Sequence, residues 1–410
     1  MNVVALRAYS PETVMPVVSG KVARVEVFAD FAAAEPFWRA LERGTVRRLG
    51  QSAVLATPYQ SYDFLKLWHH HIGATEGISP FIVVGFNEAS APLFLWPFGK
   101  RRFGGLQIVE FMGGKHANFN MALWQRDAAA AIRADELRGV LDRLAPQADL
   151  IMLSNQPLTW AGATNPFALM PQQPSASFGF SGALVPDFEA LFNARTNANA
   201  RKKMRKKERT LAEYGAVRFT RATEASEIRS VLDAFFKQKA SRMRAQGLPD
   251  VFGAPDVRRF VEAAAAGRDA QGEPLIELYS LSVDDIVVAT LGGIAGGGRF
   301  CAMFNSIAGG RYAVESPGEQ LIVHLVRQCC ERGFHTFDLG TGEAHYKGLF
   351  CADAEPLFDS HWPLTPSGRH AARAFRLIGT LKRAIKQTPA LWSMVAAARR
   401  LRGRFASKPV

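Results

Sequence analysis

The stretch GFHTFDLGTGEAHYKGLF, from Gly333 to Phe350, combines a short apolar strand with reactive side chains that follow it directly. Phe337 and Leu339 alternate with polar residues, which is the period of a half-buried β-strand. Gly340 and Gly342 then end the strand and allow a ligand to approach the backbone closely. Active sites gather at such strand ends, and the candidate catalytic residues here are Glu343, Tyr346 and Lys347, with Asp338 inside the strand.

A helical pattern precedes this strand and forms one αβ unit with it. Ser-Pro-Gly at 316–318 is a helix start, and the pattern ends near Gly333. The apolar positions at helical spacing are Leu321, Ile322, Leu325 and Val326. Because helix N-termini present free amides and a positive dipole end, an anion could bind at this one.

The length of 410 residues exceeds the size of a single hydrophobic core, so two domains are expected. Hydrophobic residues make up 48% of the chain, enough to fill both cores. No apolar run approaches the roughly 18 residues that cross a bilayer, and the first residues lack a secretory signal, which predicts a cytoplasmic protein.

Two segments repeat one order of predicted elements, three strands followed by a helix and a final strand. The first set comprises strands Pro80 to Phe86, Ala91 to Pro97 and Leu106 to Met112, a helix Ala128 to Leu144 and a strand Asp149 to Ser154. The second set comprises strands Leu275 to Val283, Ile286 to Ile294 and Arg299 to Ser306, followed by the αβ unit above. This order predicts a duplicated α/β domain with a mixed central sheet flanked by helices.

Composition sets the expected domain boundaries. Residues 156–186 are rich in Pro, Gly, Ser and Ala, which predicts a linker that wraps the surface. The expected units are therefore an N-terminal domain at 1–180, with the linker from about 156, a C-terminal domain at 187–365 and a basic helical tail at 366–410.

The net charge of +13 comes mainly from the tail. No acid follows Asp359, whereas eleven Lys and Arg lie between Arg369 and Lys408. The tail is predicted to be an amphipathic helix whose apolar side packs on the body; the alternative is contact with an anionic membrane surface. A second basic segment, Ala200 to Tyr214, carries Lys or Arg on nearly every helical face, which fits either a solvated surface or a contact with a phosphate-rich donor.

These motifs resemble, in their order along the chain, the CelD/FemAB-type acyltransferases of the GNAT superfamily. Three stretches carry the resemblance: the block at 316–350, the aromatic PYQSYDFLKLW at 58–68, and the basic ARKKMRKKERTLAEYG at 200–215. The resemblance spans roughly residues 50–360 and implies two GNAT-like domains, the first of them degenerate. It implies acyl transfer from acetyl-CoA or another acyl-CoA to an amine, with a small-molecule or glycan-precursor acceptor from exopolysaccharide or envelope synthesis.

The resemblance also implies roles for individual residues. The pantetheine slot would be the backbone of Phe304, Asn305 and Ser306, and the phosphate cradle would be Ser316, Pro317, Gly318, Glu319 and Gln320. Glu343 would be the general base, with Asp338 in reserve. Lys347 would hold a phosphate or the polarised carbonyl, and Tyr346 would donate to the leaving thiolate or stack on the donor. The carboxylates of Glu315 and Glu319 compete with phosphate for the same amides, so the helix is either capped or ligand-bound.

Two other functions stay open on the sequence. One is peptidyl transfer from aminoacyl-tRNA, in which the basic segment binds the tRNA; the other is a non-catalytic scaffold of polysaccharide synthesis, held at the inner membrane by the tail. No metal is expected, because His69, His70 and His71 point about 100° apart on a helix. The four cysteines lack a disulfide or zinc spacing and are predicted to pack in the core.

Overall fold

The computed structural model describes residues 21–43, 52–341, 349–351, 353–388 and 391. The strands are β1 (Arg24–Phe28), β2 (Val54–Leu55), β3 (Ser79–Phe86), β4 (Pro92–Phe103), β5 (Leu106–Phe111), β6 (Leu123–Gln125), β7 (Leu150–Pro157), β8 (Thr159–Trp160), β9 (Ala163–Thr164), β10 (Gln173–Ala183), β11 (Val217–Ala222), β12 (Glu277–Val283), β13 (Ile286–Gly296), β14 (Arg299–Ile307), β15 (Thr336–Thr341) and β16 (Asp353–Pro363). The helices are α1 (Phe31–Glu42), α2 (Tyr62–Trp68), α3 (Arg126–Ala131), α4 (Ala134–Leu144), α5 (Phe188–Arg195), α6 (Ala198–Ala212), α7 (Ala225–Ala245), α8 (Pro255–Ala266), α9 (Pro317–Glu331) and α10 (Pro366–Gln387).

The mixed α/β class and the repeated element order predicted from the sequence are confirmed. β12, β13 and β14 form antiparallel hairpins, and the turn between the last two uses Gly297 and Gly298, both with positive φ. The predicted helix at 128–144 is two helices, α3 and α4. It divides at Ile132 and Arg133, whose extended backbone ends α3 and caps α4.

One large sheet joins the two halves of the chain. Its strand order is β1-β3-β4-β5-β7-β16-β10-β15-β14-β13-β12-β11. Each half contributes an antiparallel set and one parallel pair, β5 with β7 and β14 with β15. The two middle strands are exchanged, since β10 follows β7 in the chain but pairs with β15, and β16 follows β15 but pairs with β7.

The prediction that residues 156–186 form a surface linker is wrong, because this segment supplies β10 at the centre of the sheet. Its small residues serve close packing rather than flexibility. A Cβ added at Gly182 would lie 1.8 Å from the carbonyl oxygen of Phe350, and one at Gly179 would lie 2.6 Å from the Phe119 ring. The predicted domain boundary at residue 180 falls inside this strand.

Two apolar clusters hold the helices against the sheet. One fills the first half and continues beneath α7 and α8, where the rings of Phe64 and Phe260 lie 5.4 Å apart. The other packs α9 on the second half through Leu325 and Val326. All four cysteines are buried, which confirms their predicted place in the core. Among the described residues, none of the helices has the length and apolar content of a transmembrane span.

Candidate functional site

The parallel strands β14 and β15 stay paired over only a short distance. Their register is Arg299 with Thr336, Phe300 with Phe337 and Cys301 with Asp338. Immediately beyond, Gly292 of β13 pairs with Phe304 and Gly293 with Ala302, so Met303 is the extra residue of a β-bulge. Because a bulge bends its strand, β14 diverges from β15 and a wedge opens between them.

The predicted slot residues Phe304, Asn305 and Ser306 lie on β14 beyond this divergence. Ser306 is buried there, and its hydroxyl bonds to Thr290 and donates to Gln238 of α7, at 2.7 Å each. These hydrogen bonds fix the end of β14 against the helix that crosses it.

Lys239, one residue further along α7, also reaches the wedge. Its ammonium lies 3.3 Å from the carbonyl oxygen of Asn305 and over the ring of Phe252. Burial lowers the pKa of Lys239, because the charged form loses hydration, and Arg242 adds to the effect. A cation beside a strand edge can stabilise negative charge on a bound donor, and the sequence did not single this residue out.

The N-terminus of α9 lies at the open end of β14. Ser316, just before the helix, has a φ of 51°, which is uncommon for a residue with a side chain and marks a strained corner. The amides of Glu319 and Gln320 both donate to the carbonyl oxygen of Ser316, and Pro317 has none. Gly318 is therefore the one first-turn amide without a partner among the described residues.

The basic helix α6 packs against this corner. The ammonium of Lys207 lies 2.5 Å from the hydroxyl of Ser316. The predicted basic segment therefore contributes a cation to the start of α9, although most of its other charges are exposed. A cavity of about 450 Å³ continues from here between α5, α6 and α9, lined in part by Arg201, Arg205 and Gln320. Gln320 is buried, and its Oε1 finds no hydrogen-bond partner among the residues that the structure describes.

Asp338, predicted as the reserve base, has no exposed surface. One of its oxygens accepts from the guanidinium of Arg299, and the other accepts from the amide of Gly340. Burial raises the pKa of Asp338, and the Arg299 charge opposes that rise. These contacts favour a structural role for Asp338, because no face of the carboxylate is open to an incoming amine.

Arg299 in turn ties together the exchanged strands. It donates to Glu355 of β16, which also accepts from Ser181 of β10 at 2.6 Å. The guanidinium stacks 4.3 Å from the ring centroid of Trp160. Residues of β10, β14, β15 and β16 all contribute to this cluster. It therefore holds the four strands together next to the point where β14 and β15 separate.

Asn118, from the first half of the chain, fills the gap where the strands separate. Its amide donates to the carbonyl oxygen of Ala302 in the bulge and to the hydroxyl of Tyr59, at 2.9 Å each. A Cβ on Gly340 would come 2.5 Å from that amide nitrogen, so only glycine fits opposite it. Asn118 is partly exposed, so a polar side chain lies where the two halves of the chain meet.

The sequence offered a weak indication of Asn118. It follows Gly113 and Gly114, which come just after β5, and both have a positive φ, as Gly340 has near the end of β15. Tyr59 lies in the aromatic stretch at 58–68 that the sequence did single out. The candidate catalytic residues Glu343, Tyr346 and Lys347, with Gly342, lie outside the described residues, and no cluster that could hold a metal ion occurs within them.

Residues 198–348 match the acetyltransferase (GNAT) domain family. That segment is similar to the GNAT domain, and it contains all of α6, the strands β14 and β15 and the start of α9. No curated protein matches the sequence significantly.

Solved structures resemble the chain distantly. The C-terminal domain of a putative lysylphosphatidylglycerol synthetase from Agrobacterium fabrum is 12% identical, with a TM-score of 0.49 over 86% of this chain and 96% of that one. FemX is 10% identical, with a TM-score of 0.48 over 75% and 96%. A tandem GNAT protein of clavulanic acid biosynthesis is 9% identical, with a TM-score of 0.42 over 84% and 99%. At these scores the likenesses carry no conclusion about activity.

Proposed function

We propose that this protein is an N-acyltransferase that moves an acyl group from acetyl-CoA or a longer acyl-CoA to an amine acceptor. The observation that carries the proposal is the divergence of β14 and β15 beside the start of α9, inside the segment that matches the GNAT domain. A pantetheine arm is narrow and extended, and it can hydrogen-bond to the edge of a strand as an added strand would.

The chemistry needs no enzyme nucleophile. The acceptor nitrogen attacks the thioester carbonyl, a C–N bond forms, the C–S bond breaks, and the nitrogen gives up a proton while the thiolate gains one. Orientation of the two reactants contributes about 7 to 11 kcal/mol to such a reaction. Burial raises the pKa of Cys301 and Cys329, so these thiols are poor candidates for a covalent intermediate, which supports direct attack.

The residues proposed for the proton transfers come from the sequence alone. We assign the general base to Glu343 and proton donation to the leaving thiolate to Tyr346, while Lys347 holds a phosphate or the polarised carbonyl. Asp338 is a weaker base candidate because its carboxylate is already paired with Arg299.

The donor's phosphates would bind at the start of α9. The contacts that support this are the Lys207 ammonium beside Ser316 and the amide of Gly318. Glu315 and Glu319 lie in the same turn, so an anion there depends mainly on Lys207 and the helix dipole.

The acceptor would bind between the two halves, near Asn118, whose amide joins the first half to Ala302 in the second. We propose an amino sugar or another amine intermediate of exopolysaccharide or envelope synthesis, on the cytoplasmic side of the membrane. This part rests on the resemblance described for the sequence.

Isothermal titration of coenzyme A and acetyl-CoA into the full-length protein tests the proposal. Both are expected to bind, with acetyl-CoA consumed only when an amine acceptor is added. If neither coenzyme A nor acetyl-CoA binds, the proposal is overturned. Binding without turnover of any amine in an acceptor panel would favour the non-catalytic scaffold.

A second candidate is peptidyl transfer from aminoacyl-tRNA, favoured by the exposed charge of α6. Five of its basic side chains face solvent near the start of α9, namely Lys202, Lys203, Arg205, Lys206 and Arg209. A tRNA would cover such a surface, and its affinity would fall steeply with salt. A mobility shift with tRNA that weakens in a Lys202→Gln/Lys206→Gln variant would support this candidate, whereas no shift at low salt would exclude it.

A further inference from the structure

The helix α10 packs on the sheet with its small residues inward. Its buried positions include Gly368 and Ala372. A Cβ on Gly368 would lie 1.9 Å from the carbonyl oxygen of Asp149, and one on Gly379 would lie 2.4 Å from the amide nitrogen of Gln173. The contact face is therefore fitted closely to the sheet and has no room for larger side chains.

The large apolar residues of α10 face the other way. Leu377, Ile378 and Leu381 expose 71%, 45% and 60% of their surface. Their spacing puts them on one helical face, opposite Gly379. Phe103, at the tip of the β4–β5 hairpin, is 51% exposed and adjoins the helix through Phe375, whose ring is 6.1 Å away. We call Phe103, Leu377, Ile378 and Leu381 together the α10 surface.

The charges around the α10 surface are all of one sign along the helix. Between 366 and 387 there is no acid, and the basic residues are Arg369, Arg373, Arg376, Lys382, Arg383 and Lys386. Two of them fasten the helix to the sheet, Arg376 through the carbonyl of His361 and Lys386 through the hydroxyl of Ser177. Arg369, Arg373 and Lys382 are exposed beside the apolar face.

The combination of exposed apolar residues and positive charge on α10 favours one kind of binding partner over another. A second copy paired through the same face would bring two helices of six positive charges together, which like-charge repulsion opposes. An anionic bilayer complements both features, because its headgroups attract Lys and Arg while its acyl boundary accepts the leucines.

We propose that α10 docks the protein on an anionic membrane surface, with Leu377, Ile378 and Leu381 inserted at the headgroup level and the flanking basic residues on the lipid phosphates. Phe103 adds a second apolar contact beside the helix. The helix lies along the membrane, since its other face remains on β7, β10 and β16. This inference does not depend on the acyltransferase proposal.

Co-sedimentation of the full-length protein with vesicles tests it. Vesicles of phosphatidylcholine mixed with phosphatidylglycerol are expected to bind the protein, and vesicles of phosphatidylcholine alone to bind far less. A Leu377→Ser/Leu381→Ser variant should lose about tenfold or more of the partition coefficient at an unchanged melting temperature. The matched control is Ile286→Ser, which changes an exposed apolar residue on the β12–β13 hairpin, 51% accessible, and should bind as the parent does.

Charge is tested separately with an Arg373→Gln/Lys382→Gln variant, which should weaken binding and reduce its dependence on salt. Equal binding to neutral and anionic vesicles would overturn the proposal. So would unchanged binding by the double leucine variant. A concentration-dependent dimer that the leucine substitutions abolish, with no vesicle binding, would assign the α10 surface to a second copy.

Discussion

The side-chain amide of Asn118 donates to the carbonyl oxygen of Ala302 at 2.9 Å, across 184 residues of sequence. This contact joins a loop of the first half to the bulge that opens the wedge in the second. The same amide donates to Tyr59, which is fully buried. The first half of the chain therefore contributes a side chain at the point where β14 and β15 separate.

Replacing Asn118 by Asp removes both donated hydrogen bonds and sets a carboxylate against the carbonyl oxygen of Ala302, while the Tyr59 hydroxyl can donate to the new carboxylate instead. We expect a loss of about 1 to 3 kcal/mol in the free energy of unfolding, measured by urea denaturation, because a buried acceptor is left unsatisfied. The control is Asn87→Asp, since Asn87 acts as an acceptor for the amide of Ala91 and Asp can do the same. Equal effects of the two changes would contradict the role assigned to Asn118.

Asp338→Asn tests whether this residue supports the fold or acts as a base. The change leaves Arg299 with Glu355 as its remaining ion-pair partner, and breaking one side of a buried pair costs about 3 to 5 kcal/mol. The surface pair of Arg133 and Asp135 provides the control, because Asp135→Asn breaks a solvent-exposed pair and should change the free energy of unfolding far less. Full stability with lost turnover would instead make Asp338 the base.

Lys207→Met removes the cation beside Ser316. We expect the Kd for coenzyme A to rise about tenfold, equivalent to about 1.4 kcal/mol, with a smaller effect on kcat. Lys206→Met, one residue earlier and exposed, should leave the Kd unchanged. Titration calorimetry measures both, and similar values for the two variants would remove Lys207 from the donor site.

Lys347→Ala should reduce acyl transfer strongly while changing stability by less than about 0.5 kcal/mol, as is usual for the substitution of a lysine. Lys347→Arg should not restore full activity, because a planar guanidinium does not reproduce a compact ammonium. Thermal melts and steady-state rates of the parent and both variants measure this. Full activity in Lys347→Ala would exclude the residue from the site.

His116 makes stability depend on pH. Its Nδ1 accepts from the indole of Trp68 at 3.1 Å, which requires the neutral imidazole, and burial lowers its pKa to about 4 from 6.5. The folded state therefore binds fewer protons than the unfolded state in this range. The stabilisation is complete above pH 6.5 and is lost as the pH falls toward 4, by about 3 kcal/mol in all.

Unfolding free energies measured between pH 4 and 7 test this dependence. His116→Gln should flatten it, because a glutamine oxygen can still accept from Trp68 but does not titrate. His370→Gln, on the exposed side of α10, is the control and should follow the parent. A parallel pH profile for all three proteins would show that His116 is not responsible.

The hairpins of the second half were predictable because their signals are local. Alternating apolar residues and an Asp-Asp or Gly-Gly turn mark β12 to β14, and the predicted bounds differ from the observed ones by two residues or fewer. The helix α9 was equally clear from Pro at its first position. The pattern gave no comparable indication for β11, α7 and α8, which went without a prediction.

The middle of the sheet was not predictable, because its determinants lie far apart in sequence. β10 has the composition of a linker, and its glycines are explained only by Phe350 and Phe119, which the fold brings against them. In the candidate site, too, some residues could be predicted from local sequence and others could not. The start of α9 could be found from its own residues, whereas Asn118 gains its role from a partner in the other half.

The exchange of β10 and β16 bears on how the chain acquires its structure during translation. β7 is finished by residue 157, yet its partner strand includes Trp362, which pairs with Ile151. On the ribosome, the nascent N-terminal half therefore carries an open strand edge until residues 353–363 have left the exit tunnel, and such edges invite wrong pairing. The two halves cannot mature in sequence as independent domains, because the first one completes its sheet only after residues 353–363 have been synthesised.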